Sequence, residues 1–214
     1  FSRLGKEIAM AVKQSGPSPE SNSRLRTAIQ NAKGVNMPKD RIDAAIKRAS
    51  SKDEKDFVEL VYEGYGPHGV AVIVETATDN PNRTVANMRL HFNRTGGALG
   101  NSGSVEFMFD RKGVFKVNPE GLDLEELELE LIDAGLEDIV MGEDDSAFIY
   151  AAFADFGAMQ KALEEKGIQV ITAELERIPA TKVELSEAQE EEVMELIERL
   201  NEDDDVQNVF HSMA

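Results

Sequence analysis

The chain has 214 residues, a formal net charge of −18 and no cysteine. This length allows one to three compact domains with buried cores. A hydrophobic content of 41% is typical of a folded rather than a disordered chain. The lack of cysteine excludes disulfides and thiolate metal sites and favours the cytoplasm. The sequence has no stretch of 18 apolar residues and no secretory signal, so we expect no membrane association.

The charge is distributed unevenly along the chain. Residues 1–50 hold ten Lys/Arg and four Asp/Glu, a net charge of +6, which leaves −24 on the remainder. Such an asymmetry indicates a polyanionic partner at the basic end. The alternative is that the basic segment is only a solvated helical surface docked on the acidic remainder.

Apolar residues in the first fifty positions recur with helical spacing and predict three helices. Gly16-Pro17-Ser18-Pro19 separates the first helix from the second, and Pro38 lies in the first turn of the third. The predicted apolar stripes are Leu4, Ile8 and Val12; Leu25, Ala28, Ile29 and Ala32; and Ile42, Ala45, Ile46 and Ala49.

From Phe57 the spacing changes to that of strands. We predict strands at 58–62, 70–74 and 105–109, with a helix that begins at Asp79-Asn80-Pro81 between the last two. The glycine-rich segment 96–104 follows a helix and opens none, so it is interpreted as a long turn and not as a phosphate-binding loop.

The segment 113–180 predicts the order β-α-β-β-α-β, which is typical of a ferredoxin-like domain. Its first helix is expected at 122–134. The tail predicts a helix that begins at Ser186 and a strand at 206–210, which supply the helix and strand that the middle segment lacks. We therefore predict an α+β protein with a basic three-helix domain at 1–56, a discontinuous ferredoxin-like domain at 57–112 with 181–214, and an acidic ferredoxin-like domain at 113–180 inserted into it.

Enzymatic machinery is hard to recognise in this sequence. The three histidines are far apart, so no zinc site is expected, and neither a Walker A motif nor a nucleophile elbow is present. The acidic clusters lack the ligand spacing of an EF-hand loop. We therefore expect no catalytic residues, no metal and no cofactor.

Basic residues recur in pairs seven positions apart in each predicted helix. Lys6 and Lys13, Arg26 and Lys33, and Arg41 and Arg48 are such pairs, and seven residues are nearly two helical turns. Each pair therefore shares a helix face offset from the apolar stripe, which suits contacts with phosphates. The alternative is a solubilising charge on exposed faces. The predicted nucleic-acid contacts here are Lys6, Lys13, Arg24, Arg26, Lys33, Lys39, Arg41, Lys47 and Arg48.

The helix that begins near Asn80 carries further candidates. Arg83 and Arg94 are eleven positions apart and share a face. Arginine and asparagine are suited to phosphates and base edges. Arg83, Arg89 and Arg94 are therefore predicted phosphate contacts, and Tyr65, Asn80 and Asn82 are predicted base contacts, although Tyr65 can equally be a turn aromatic packed on the sheet.

Several short motifs, in this order, resemble the YebC/PmpR family of probable transcriptional regulatory proteins. The resemblance covers essentially the whole chain. The motifs are Asn22-Ser23-Arg24-Leu25-Arg26, Asn31-Ala32-Lys33, Asn36-Met37-Pro38-Lys39, Glu63-Gly64-Tyr65-Gly66-Pro67, Gly69-Val70-Ala71, Thr78-Asp79-Asn80, Asn82-Arg83-Thr84-Val85, Gly96-Gly97-Ala98-Leu99-Gly100 and Gly103-Ser104-Val105.

The resemblance implies an N-terminal helical domain, two α+β domains and a DNA-binding transcriptional regulator without catalytic residues or cofactor. It also implies two open alternatives, since mitochondrial relatives are translational activators and some bacterial members resemble ribosome-associated factors. The partner is then DNA or ribosomal RNA, with ribosomal proteins as further partners of a monomer. A third hypothesis is a protein-interaction scaffold whose acidic body binds basic partners.

Family members usually carry a basic segment before the position of Phe1, so this polypeptide is expected to bind nucleic acid more weakly than the natural protein.

Overall fold

The structure, a computed structural model, describes all 214 residues. It is an α+β protein with seven α-helices and two four-stranded antiparallel sheets, which confirms the predicted fold class. The chain divides into two compact units, Phe1–Glu54 with Arg111–Glu176 and Lys55–Asp110 with Arg177–Ala214. The division into three domains with the boundaries given above stays a prediction. No helix has the length and apolar character needed to cross a membrane.

The elements follow one another along the chain with short connections. The helices are α1 (Ser2–Ser15), α2 (Ser23–Gly34), α3 (Lys39–Ala49), α4 (Pro81–Arg94), α5 (Leu124–Glu130), α6 (Phe156–Glu165) and α7 (Glu187–Glu202). The strands are β1 (Val58–Tyr65), β2 (Ala71–Thr78), β3 (Ala98–Leu99), β4 (Phe109–Val117), β5 (Leu136–Met141), β6 (Ala147–Ala152), β7 (Val170–Pro179) and β8 (Val206–His211).

The three predicted N-terminal helices are present, and Asn22 organises the connection between the first two. Its side chain is buried and accepts a hydrogen bond from the backbone N–H of Leu25, which caps α2. Its amide also donates to the carbonyls of Ala11 and Gly16 at 2.7 and 2.9 Å. One side chain therefore caps the start of α2 and binds two carbonyls at the end of α1.

The sheet of the first unit has the strand order β5-β6-β4-β7. With α5 after β4 and α6 after β6, this is the predicted βαββαβ arrangement. Its core contains fully buried side chains from both layers, among them Phe115, Leu131, Ile149, Met159 and Leu163. α5 is shorter than the predicted helix, because a separate 3₁₀ turn occupies 132–134 before Gly135 adopts a positive φ.

The sheet of the second unit has the order β3-β1-β2-β8. α4 and the tail helix α7 pack on one face, where Val72, Phe92 and Leu196 are fully buried. The N-terminus of α7 has the expected capping box between Ser186 and Gln189. The tail therefore supplies both a helix and an edge strand to the sheet of the second unit.

The predicted strand at 105–109 is wrong. Residues 106–108 form a 3₁₀ turn, and the strand position beside β1 is taken by the two-residue β3 inside the glycine-rich segment. The reason is Glu63, whose buried carboxylate accepts hydrogen bonds from the backbone N–H groups of Gly103, Val105 and Glu106 at 2.7, 3.0 and 2.7 Å. Because these three N–H groups donate to one carboxylate, they do not donate to a neighbouring strand of a β-sheet.

Candidate nucleic-acid interface

Helix α2 lies along the first half of β7, within one compact unit. The side-chain amide of Asn31 donates to the carbonyl of Ala173 at 2.9 Å, and its oxygen accepts from the N–H of the same residue at 2.7 Å. Gln160 adds a hydrogen bond to Thr27 at 2.9 Å. These contacts hold a helix of the basic segment against a strand more than a hundred residues further along the chain.

Gly34, the last residue of α2, permits the close approach of helix and strand. A Cβ atom at this position would stand 2.0 Å from the carbonyl oxygen of Ile171, a backbone atom that cannot swing away. The glycine is therefore required by the helix–strand contact rather than by its own φ angle.

The space between α2, α3 and the start of β7 is a groove of about 1120 Å³. Four basic side chains line it, Arg26 and Lys33 from α2 and Lys39 and Lys47 from α3. Asp43 is its only acidic residue. All four cations are exposed, and Arg26 makes one hydrogen bond, to the carbonyl of Pro19 at 3.1 Å. The cations therefore face solvent in one concave site, which we call the basic groove.

Apolar side chains, which we call the aliphatic floor, also line the basic groove, beside the polar residues Gln30, Asn36, Ser50 and Gln169. Ile29 and Ile46 are half-buried, and Ile42 is buried. Further apolar contributions come from Pro17 and Pro19, in the turn after α1, and from Val170 and Ile171, at the start of β7. The groove therefore combines a cationic rim with an aliphatic floor that contains no aromatic ring.

Two of the predicted basic contacts have roles within the fold. Arg24 of α2 donates to both carboxylate oxygens of Glu7 at 2.9 and 3.3 Å and to Gln14 at 2.8 Å, so it ties α2 to α1. The ammonium group of Lys13 donates to the carbonyl of Glu54 at 2.7 Å. These side chains are held by other parts of the same unit.

Three other predicted contacts lie outside the basic groove. Lys6 is half-buried on α1. Arg41 and Arg48 are exposed on α3, where Arg41 lies 5.8 Å from the centre of the Phe1 ring and Arg48 forms a long ion pair with Glu54 at 3.7 Å. Of the three pairs at seven-residue spacing, only Arg26 and Lys33 both line the groove.

Arg83, in the second unit, is held by carboxylates. It donates to Asp205 at 2.7 and 3.2 Å and to Asp79 at 2.9 Å. Asp205 and then Asp79 raise the pKa of the Arg83 guanidinium. Lys55 and Arg83 in turn lower the pKa of Asp79 to about 2. The guanidinium therefore links α4 to the residue just before β8 through ion pairs within the second unit.

The other candidates of this unit lie on α4 and β1. Asn80 caps α4 by accepting a hydrogen bond from the N–H of Arg83. Asn82, Arg89 and Arg94 are exposed along the helix. Tyr65 is exposed at the end of β1, with its hydroxyl 3.9 Å from the sulfur of Met108. Asn80 is therefore a structural cap, whereas the other four side chains face solvent.

Sequence reasoning did not identify the apolar residues of the basic groove as part of a site. Ile29 and Ile46 belong to the predicted apolar stripes and were expected to be buried in the helical core. Val170 and Ile171 were expected only as strand residues, and no local pattern connects them to α2. The seven-residue spacing did not indicate Lys39 and Lys47 as a pair.

Two family models together match nearly the whole chain. Residues 1–52 match the TACO1/YebC protein N-terminal domain, and residues 57–213 match the TACO1/YebC second and third domain. The chain belongs to the TACO1/YebC family.

Similar proteins come from several bacteria. A protein of Cytophaga hutchinsonii is 63% identical over 214 residues, covering 100% of this chain and 90% of that protein. A protein of Myxococcus xanthus is 54% identical over 218 residues, covering 100% of this chain and 91% of that protein. Both carry the name "probable transcriptional regulatory protein".

A solved structure has the same fold. The crystal structure of a conserved hypothetical protein from Aquifex aeolicus matches with a TM-score of 0.85 and 39% identity, covering 100% of this chain and 88% of that one. The TACO1/YebC fold is thus shared over the full length of the chain.

Proposed function

We propose that this family member is a non-enzymatic regulator of gene expression that binds nucleic acid through its basic groove. The observation that carries the proposal is the convergence of four exposed cations, against a single carboxylate, in one concave site of a chain whose net charge is −18. Exposed cations in such a site attract a polyanion and bind its phosphates without reading base sequence.

DNA is the target that the relatives' names favour, because those names describe transcriptional regulation. We further propose that the protein acts as a cytoplasmic monomer without a cofactor. Ribosomal RNA offers the same phosphates to the same side chains, so the basic groove by itself suits either polymer. A direct comparison of the two targets therefore belongs to the test.

The first experiment measures binding of a fluorescently labelled DNA duplex by the wild type and by the double variant Lys33→Glu/Lys47→Glu. We expect the wild-type affinity to fall by about 10²-fold between 50 and 200 mM salt if the four groove cations each contact a phosphate. The double variant should bind at least about tenfold more weakly and show a shallower salt dependence.

Lys161→Glu is the matched control, because Lys161 is an exposed lysine on α6 of the same unit and does not line the basic groove. It should bind like the wild type. Salt-independent binding, or equal losses in the control and the double variant, would contradict the assignment of the groove.

A second experiment separates DNA from ribosomal RNA. The protein is sedimented in a cell lysate through a sucrose gradient, with and without ribonuclease. Migration in light fractions under both conditions supports DNA as the target. Co-migration with ribosomal particles that ribonuclease abolishes would replace DNA by ribosomal RNA and transcription by translation.

A further inference from the structure

Three properties of the basic groove differ from those of a surface that only follows a duplex backbone. The site is concave, its floor is aliphatic, and its volume of about 1120 Å³ lies at the upper limit of about 1,000 Å³ that is common for small-ligand sites. A duplex presents phosphates on a convex outer surface and keeps its bases stacked inside. Apolar side chains at the bottom of a groove would gain little from such a ligand.

The rim cations match the repeat of a polynucleotide strand. Arg26 and Lys33 are seven residues apart on α2, about 10 Å along the helix axis, and Lys39 and Lys47 are eight apart on α3, about 12 Å. Stacked nucleotides in one strand rise about 3.4 Å each, so the distance of about 10 Å on α2 corresponds to about three nucleotides. Each wall of the groove therefore offers two positive charges at a spacing that a short strand can bridge.

We propose that the basic groove binds an unpaired stretch of nucleic acid, with the phosphates along the cationic rim and the bases against the aliphatic floor. This inference rests on the proposed function and names the form of nucleic acid that the same site takes. Half-buried Ile29 and Ile46 lose exposed apolar surface when a base covers them, which stabilises the complex. Contacts to phosphates and to aliphatic side chains do not read the edges of bases, so we expect little preference among sequences.

An acidic amphipathic helix also combines negative charge with apolar side chains, so it is an alternative ligand of the basic groove. The distribution of cations on α3 distinguishes it from a nucleic-acid strand. Arg41 and Arg48 are further exposed cations on other faces of α3, outside the basic groove. A polymer with a charge on every unit can use cations both inside and outside the groove, whereas an amphipathic helix presents its charges only beside its apolar stripe. The observations therefore favour the nucleic-acid strand.

The test uses the intact protein and fluorescence anisotropy with labelled oligonucleotides of about 8 nucleotides. The probes are a single-stranded DNA, an RNA of the same sequence, a DNA hairpin whose stem is the corresponding duplex, and a DNA strand whose central nucleotides are abasic. We expect both single strands to bind more tightly than the duplex. The abasic strand, which keeps every phosphate, should bind at least about fivefold more weakly than the intact strand.

Variants locate the base contacts. Ile46→Ser should weaken binding of the intact strand and leave binding of the abasic strand unchanged, whereas Lys47→Ala should weaken both. Circular dichroism at increasing temperature establishes whether each variant is folded. If Ile46→Ser does not fold, the comparison of intact and abasic strands with the wild-type protein still tests the inference.

The outcomes separate the inference from the function on which it rests. Equal binding of intact and abasic strands, or tighter binding of the duplex, would overturn the inference and leave the proposed function standing. Failure to bind any of the four probes at low salt would overturn both, and binding of an acidic amphipathic peptide in their place would reassign the groove to a protein partner. The relative affinity of the DNA and RNA strands shows which polymer is the better ligand.

Discussion

Asn31 and Ala173 are joined by two hydrogen bonds, one in each direction, between a side-chain amide and a backbone peptide group 142 residues away in sequence. An amide side chain that donates and accepts in this way substitutes for a strand partner along β7. The pairing positions α2, and with it Arg26 and Lys33, beside the apolar start of β7. The contact therefore joins two of the elements that line the basic groove.

Replacement of Asn31 by leucine should destabilise the first unit. Leucine has a similar volume but neither donates nor accepts, so the N–H and carbonyl of Ala173 lose their partners. We expect the free energy of unfolding to fall by about 2 kcal/mol, measured by urea denaturation followed by circular dichroism. Asn93→Leu, at an exposed position of α4, is the control and should change stability by less than about 0.5 kcal/mol. Equal effects of the two substitutions would contradict the role given to Asn31.

Gly34→Ala tests the close approach of α2 to β7. The added methyl group would meet the carbonyl of Ile171 at 2.0 Å, so helix and strand must separate. We expect a loss of about 1–3 kcal/mol in the free energy of unfolding and weaker binding of nucleic acid. The matched control is Gly5→Ala in α1, where an added Cβ meets nothing within 4 Å. Since alanine favours helix over glycine, this control should gain up to about 1 kcal/mol. A stable Gly34→Ala protein would show that the contact is not essential.

Arg83→Gln should separate stability from binding. Asp205 is buried and would lose its charged partner, so the free energy of unfolding should fall. Affinity for nucleic acid should stay within about twofold of the wild type, since the guanidinium is engaged by two carboxylates. Thermal denaturation and fluorescence anisotropy on the same sample provide both quantities. A large loss of affinity in a protein of unchanged stability would restore Arg83 as a nucleic-acid contact.

Glu63→Gln should reveal a pH-dependent contribution to stability. Burial alone would raise the pKa of Glu63, but three backbone N–H donors, with Arg177 nearby, lower it below the ordinary value of 4.5. A carboxylate with a lowered pKa stabilises the folded state above its unfolded pKa, and this contribution is lost as the pH falls through the folded pKa. We therefore expect the variant to be less stable by about 2 kcal/mol at pH 7. The difference between the proteins should shrink as the pH falls below the ordinary pKa of a glutamate. A difference that is constant with pH would show that ionisation of Glu63 contributes nothing.

The helices and most strands could be predicted because their signals are local. Helical spacing of apolar residues marks α1, α2 and α3, and the Ser186–Gln189 capping box marks the start of α7. The prediction of a strand at 105–109 was wrong because the conformation of this segment is set by a residue distant in sequence. The segment's alternating apolar residues are compatible with a strand, but a carboxylate forty residues earlier captures its N–H groups. No pattern within the segment contains that information.

The candidate site was predicted only in part. Uneven charge indicated the basic segment, and the four lysines and arginines of the basic groove are among the predicted contacts. Arg24 and Arg83 were grouped with them because residue type does not show whether a guanidinium already has a carboxylate partner. Their partners, Glu7 and Asp205, come from other elements and become neighbours only when the chain folds.

The sequence by itself determined the fold class, the order of elements and the basic character of the first fifty residues, because these depend on local spacing and composition. The tertiary structure decided which cations share a site, which are held by carboxylates, and that an aliphatic floor lies between them. The physical reason is that α2 and β7 meet through Asn31, Gly34 and Ile171, a contact between distant segments that depends on shape and hydrogen bonding in three dimensions rather than on any local periodicity.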